Sequence, residues 1–192
     1  MRLLLVLLFS VSPLAAETGA DIVKAARKQV GVTVCYDPAY AALAYPDGDV
    51  PRDRGVCTDV LIRALREGAD ADLQKLVHED MKANFRAYPK NWGLTRTDRN
   101  IDHRRVPNLR TYLKRRGFAV RLTDPPDYSK FRPGDIVTCT VAGNLPHVMI
   151  VSDRKAADGT PLVIHNIGAG AREENVLKTY PLTGHYRWKA AE

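Results

Sequence analysis

Cys57, His147 and His165 are the residues of this 192-residue chain whose types and placement could do chemistry. A cysteine is a useful nucleophile when a base takes its proton and a further group orients that base. Cys57 follows Arg52-Asp53-Arg54-Gly55-Val56, and behind it Val60, Leu61, Ala64 and Leu65 recur at helical spacing up to Gly68. The pattern predicts a turn that delivers Cys57 into the first turn of a helix stopped by Gly68. Free backbone N–H groups and the positive end of the helix dipole favour a thiolate there. Arg52 and Arg54 add positive charge nearby. The alternative is a small buried hydrophobe, the commoner fate of a free cysteine.

The histidines bound two apolar runs. His147 opens His147-Val148-Met149-Ile150-Val151, and His165 closes Leu162-Val163-Ile164-His165. Two antiparallel neighbours joined through Asp153 to Thr160 would bring both rings to one end. A histidine at a strand end can take a thiol proton, and a second polar residue can hold its ring in the productive tautomer. His165 is the expected orienting residue. Asn166, on the opposite face of a continuing strand, is the alternate. Asp59 could cap its own helix, pair with Arg63 at i+4, or bind a substrate amine.

The elements that must position these residues follow from periodicity. Thr18 to Val30 reads as an amphipathic helix capped by Thr18 and stopped by Gly31. Val32 to Tyr36 reads as a short extended segment. A helix is expected from about Ala71 to Phe85, with Leu73, Leu76, Val77 and Met81 as its inner face. Tyr88 to Val106 reads as a long polar loop, and Asn108 as the cap of a helix from Leu109 to Arg116. The period then becomes strand-like over Phe118–Leu122, Ile136–Val141, His147–Ser152, Leu162–Asn166 and His185–Trp188. Helices first and antiparallel strands last predict an α+β domain, with N-terminal helices packed on a C-terminal sheet.

Length implies one domain, taken as residues 17–192. Residues 1–16 read as a signal peptide: Arg2, an apolar run from Leu3 to Leu14, and Ala15-Ala16. That run is too short for a bilayer span, which takes about 20 residues, so no stable membrane insertion is expected after its removal. The protein is expected in the periplasm or outside the cell. The formal charge is +7. Such a balance suits an anionic surface, and export argues against nucleic acid. The 3 cysteines leave at least one thiol unpaired in an oxidising compartment. Cys57 is the economical choice for the free thiol, with Cys35 and Cys139 either bridged or simply buried.

The order Gly-x-Cys on a helix, Pro-Gly-Asp-Ile-Val, His-Val-x-Ile-Val and Ile-His resembles the NlpC/P60 cysteine peptidases of the papain-like superfamily. More closely, Gly48-Asp49-Val50-Pro51, Gly55-Val56-Cys57-Thr58-Asp59, Asn100-Ile101-Asp102-His103-Arg104, Leu145-Pro146-His147 and His165-Asn166-Ile167-Gly168 resemble the bacterial family DUF1287. The NlpC/P60 resemblance implies a papain-like fold with Cys57 as nucleophile, His147 as general base and His165 as orienting residue. It also implies an oxyanion role for Tyr36. Thr58, Asp59 and Asn166 join Tyr36 as oxyanion or substrate candidates. NlpC/P60 enzymes usually carry Asp-Cys-Ser-Gly where this chain has Val56-Cys57-Thr58-Asp59, and the Tyr88–Val106 loop has no counterpart.

The function expected from these readings is an exported thiol hydrolase cutting an amide bond in peptidoglycan stem peptides, with no cofactor. Two other classes compete. One is a non-catalytic wall-binding module on the same fold. The other is a zinc site made by Cys57, His147 and His165, which no Cys-x-x-Cys or His-x-x-x-His spacing supports.

Overall fold

A computed structural model describes residues 13–189, with side chains from residue 18 onward. Four helices precede most of the strands: α1 (Pro13–Arg27), α2 (Cys57–Ala69), α3 (Leu73–Ala83) and α4 (Val106–Arg115). Two short strands, β1 (Cys35–Tyr36) and β2 (Arg54–Gly55), pair in parallel. The remaining strands are β3 (Ala119–Val120), β4 (Ile136–Val141), β5 (Leu145–Lys155), β6 (Pro161–Asn166), β7 (Ala171–Glu174) and β8 (Leu182–Tyr186). They form one antiparallel sheet in the order β3-β8-β4-β5-β6-β7. The expected α+β class is the one found.

The sheet has a core on each face. Ile136, Val148, Ile150 and Ile164 join the cluster built around α1, α2, α3 and α4. Val137, Cys139, Met149, Val151 and Val163 join Phe131 and Leu177 on the other side. Strands buried on both faces carry continuous apolar runs rather than alternation, which is why β5 holds Val148–Val151 and β6 holds Leu162–Ile164 without a polar residue between.

α2 is the centre of the helical layer. Every residue from Cys57 to Leu65 is buried, including Arg63. The Arg63 guanidinium is tied to Asp49 at 2.9 Å and to the carbonyls of Val50 and Arg54 at 3.0 and 3.1 Å. It thereby shapes the loop that leads into Cys57. Gly68 does not stop the helix. A Cβ there would sit 2.6 Å from the backbone of Asp21, so this glycine lets α1 and α2 cross closely. The stop is Asp70, in a left-handed conformation at φ 48.

Other boundaries also move. Thr18 lies inside α1, which starts at Pro13 and ends at Arg27, short of Val30. The expected signal peptide falls outside the described residues except for residues 13–16, which begin α1. Asp72 caps α3 by accepting from the Gln74 N–H at 3.0 Å. Leu73, Val77 and Met81 form its buried face, with Leu76 only partly covered. Asn108 lies within α4 rather than before it and donates to the Asp102 carbonyl at 3.0 Å. α4 begins earlier because Pro107 suits a first helical turn. β7 was not expected, and β8 starts three residues before His185. No helix among the described residues is long and apolar enough to cross a membrane.

Candidate active site

Cys57 is the first residue of α2 and is buried. The β1–β2 pair fixes its approach by setting Tyr36 against Gly55, two residues upstream. Cys57 meets the sheet at the start of β5, where the backbone N–H of Val148 is directed at its sulfur. Burial, with Cys57 nearby, pushes the thiol of Cys139 up to about 12, and Cys139 is the residue paired with His147 across β4 and β5. On the site side the last rung between β5 and β6 is Ile150↔Ile164. Beyond that rung the two strands carry His147 and His165 at their ends.

The histidines form a chain. His147 Nε2 and His165 Nδ1 are 2.8 Å apart, with the rings at 74° to each other. His165 Nε2 lies 3.1 Å from Oε2 of Glu174 on β7. A carboxylate only accepts, so His165 donates from Nε2 and its Nδ1 is bare. His147 must then donate from Nε2, which leaves the lone pair of its own ring on Nδ1. Glu174 thus selects, through His165, the tautomer in which His147 can act as a base. Glu174 was not among the expected residues. It lies on the unexpected strand β7, paired with Val163, and only that pairing brings it to His165.

Burial sets the protonation states. It pushes the Cys57 thiol up to about 11, opposed by the Val148 N–H. It pushes His147 down to about 3, aided by His165. His165 is also lowered by burial, with Glu174 pulling the other way. The expected acidified thiol is therefore not what the packing produces: desolvation outweighs the helix dipole. Arg52 and Arg54 do not help, since Arg52 pairs with Glu67 at 2.6 Å and Arg54 with Asp53 and Asp37. Near neutrality the site holds a neutral thiol and a neutral imidazole.

The remaining candidates divide. Tyr36 lines a cleft of about 200 Å³ with Cys57, Trp92, Arg104, Arg105 and Pro146. Thr58 is buried, and its hydroxyl donates to the Arg104 carbonyl at 3.1 Å. Asp59 does cap its helix, accepting from the Val56 N–H at 2.6 Å. Its ion partner is Arg104, not Arg63, with two contacts of 2.9 Å. Buried and fully engaged, Asp59 has no free oxygen for a substrate amine. Asn166 points to the α2 side as its parity requires and donates to the Gly55 carbonyl at 2.9 Å. It braces the turn before Cys57, and His165 alone of the two meets His147.

The Tyr88–Val106 segment is not a solvated loop. Asp102, His103 and Arg104 within it are buried. Arg104 also donates to the Ala39 carbonyl at 3.1 Å, so the segment clamps the α2 start to the stretch after Tyr36. Larger hollows lie elsewhere, including one of about 400 Å³ bordered by Val120, Phe131 and His185. None of those bordering residues is the cysteine, so size does not locate the chemistry here.

The thiols are all free: Cys57 and Cys139 are buried and Cys35 is exposed. Bridging and burial of Cys35 are both ruled out in this fold. Among the described residues no three His, Cys, Asp or Glu side chains converge as a metal-binding group. The His147 nitrogen that faces His165 is engaged in a ring-to-ring hydrogen bond.

A family model described as Domain of unknown function (DUF1287) matches residues 23–188. Uncharacterized protein YijF of Escherichia coli (strain K12) is 54% identical over 179 residues, covering 93% of this chain and 86% of that protein. An N-acetylmuramoyl-L-alanine amidase from Bacteroides uniformis has a similar fold, with a TM-score of 0.54 and 13% identity over 90% of this chain and 99% of that one. NlpC1 from Trichomonas vaginalis gives a TM-score of 0.48 at 13% identity, over 90% of this chain and 45% of that one. The amidase likeness concerns the path of the chain.

Proposed function

The chain belongs to the DUF1287 family, and from that premise we propose that it is an exported cysteine hydrolase cleaving an amide bond in peptidoglycan stem peptides. The observation that carries the reading is the His147–His165–Glu174 chain, built on strand β5, whose Val148 backbone meets the Cys57 thiol at the α2 N-terminus. A binding module has no need of a selected histidine tautomer. The fold shared with an N-acetylmuramoyl-L-alanine amidase and the positive charge of the chain support a wall substrate.

In this mechanism His147, kept neutral by burial, takes the Cys57 proton at Nδ1 as sulfur attacks the amide carbon. The sulfur–carbon bond forms and the carbonyl π bond opens to an oxyanion. Backbone N–H groups at the start of α2, with Tyr36 alongside, stabilise that charge. The protonated His147 then delivers its proton to the leaving amine as the carbon–nitrogen bond breaks. A water, deprotonated by His147, releases the acyl group and restores the thiol.

The test is mass analysis of muropeptides after incubation with wild-type protein, Cys57→Ser and His147→Ala. The wild type should release new amine-bearing fragments, and each variant should lose nearly all of that activity, because nucleophile and base act as a unit. Equal fragments from wild type and Cys57→Ser, or none from a broad panel, would return the protein to the wall-binding reading.

A further inference from the structure

Two neighbouring arginines on the cleft wall have opposite fates. Arg104 is satisfied by Asp59. Arg105 borders the same cleft, yet its Nη1 is buried and makes no hydrogen bond. A guanidinium nitrogen withdrawn from water without an acceptor is unfavourable and rare in native structures. What Arg105 does have is Trp92, whose ring centre lies 4.5 Å from its guanidinium carbon.

Trp92 is itself unusual. It is 59% exposed and holds a left-handed backbone at φ 62, a conformation uncommon for a bulky residue. Strain of that kind persists where the surroundings require the residue to be placed so. Here it sets an aromatic face against the guanidinium at the cleft lip. Stacking holds the planar fork in one orientation.

We propose that Arg105 is a carboxylate subsite of the Cys57 cleft, so that the preferred substrate is an amide flanked by a residue bearing a free carboxylate. Trp92 is its positioning residue. The inference rests on the hydrolase reading and names the class of substrate that reading leaves open. A guanidinium fork matches a carboxylate in shape and charge, and among the described residues no carboxylate pairs with Arg105, so the charge that borders the cleft is left for a ligand.

The experiment uses a set of synthetic stem peptides, each amidated at one carboxylate, with full-length protein. Amidation at one position should lower kcat/KM by about 10-fold to 100-fold, mainly through KM, the range expected for one charged hydrogen-bonded contact. Arg105→Gln should bring the acid-to-amide ratio close to one, Arg105→Lys should restore part of it, and Trp92→Ala should weaken it. Thermal melting checks that each variant is folded. Calorimetric binding of the same peptides to Cys57→Ala separates this inference from catalysis. Should wild type cut nothing while Cys57→Ala discriminates acid from amide and an added Arg105→Gln abolishes this, the hydrolase reading falls and the subsite stands. Equal affinity for all members of the set, no binding of any, or discrimination that survives in folded Arg105→Gln would overturn the subsite.

Discussion

In the proposed reaction the tautomer of His147 is decided by a carboxylate that touches only His165 of the two histidines. Glu174 can only accept from His165, and that single constraint fixes which nitrogen of His147 is bare. Glu174→Gln keeps the size but offers an amide N–H that can face His165 and reverse both tautomers. Activity on muropeptides is expected to fall about 10-fold to 100-fold, the usual consequence of disturbing a residue that orients another ligand or base. Glu174→Asp should fall less, because the acceptor-only character survives. Equal rates for the Gln and Asp variants would remove Glu174 from the relay. At the same scale, the thiol shows how local sequence signals can be outweighed. A helix N-terminus favours a thiolate by a fraction of a pKa unit to a few units, but burial pushes Cys57 up to about 11.

At the scale of elements, α2 is held at its start by groups distant in sequence. Asp59 closes the first turn on the Val56 N–H and grips Arg104 of the 88–106 segment, both side chains being almost fully buried. Removing one member of such a pair leaves an uncompensated buried charge. Asp59→Ala is expected to cost about 3–5 kcal/mol, read as a lower urea midpoint. Asp59→Ala combined with Arg104→Met should cost less than the sum of the single changes, since the pair couples. Additive losses would show that the two residues act independently and that the segment is anchored by other contacts. Because Arg104 also holds the Ala39 carbonyl, the same pair ties Tyr36's segment to the Cys57 helix.

For the whole molecule, buried histidines link stability to pH. His147 and His103 are both pushed down to about 3 by burial, while unfolded histidine titrates near about 6.5. Between those values the unfolded chain binds protons that the folded chain refuses. Stability is therefore fully retained above about pH 6.5 and declines as the pH falls toward 3, by up to about 1.4 kcal/mol per pH unit for each such histidine. His165 shifts in the same direction, whereas Asp102, raised by burial, opposes it at the acid end. Denaturant unfolding at pH 7, 6 and 5 should show the decline, and His103→Gln should make it shallower by about one proton. An unchanged slope in that variant would mean that His103 does not remain neutral in the fold.

The sequence by itself determined the four helices and most strands of the main sheet, in their order. Apolar spacing from Val60 to Leu65 is enough to define α2, and the apolar runs within β5 and β6 mark strands covered on both faces. It also determined that Cys57, His147 and His165 fall at element ends, because a change of period is visible locally. Only the tertiary structure decided the partners. Glu174 reaches His165 through the β6–β7 register, Asp59 takes Arg104 from 45 residues away rather than Arg63 from the next turn, and Gly68 serves a helix crossing instead of a helix end. β7 escaped notice because Ala171-Arg172-Glu173-Glu174 has no apolar pattern and is a strand only by pairing with β6. The physical reason is common to all of these. Periodicity reports which face of an element turns inward, while desolvation and pairing depend on what arrives from elsewhere in the chain to meet that face.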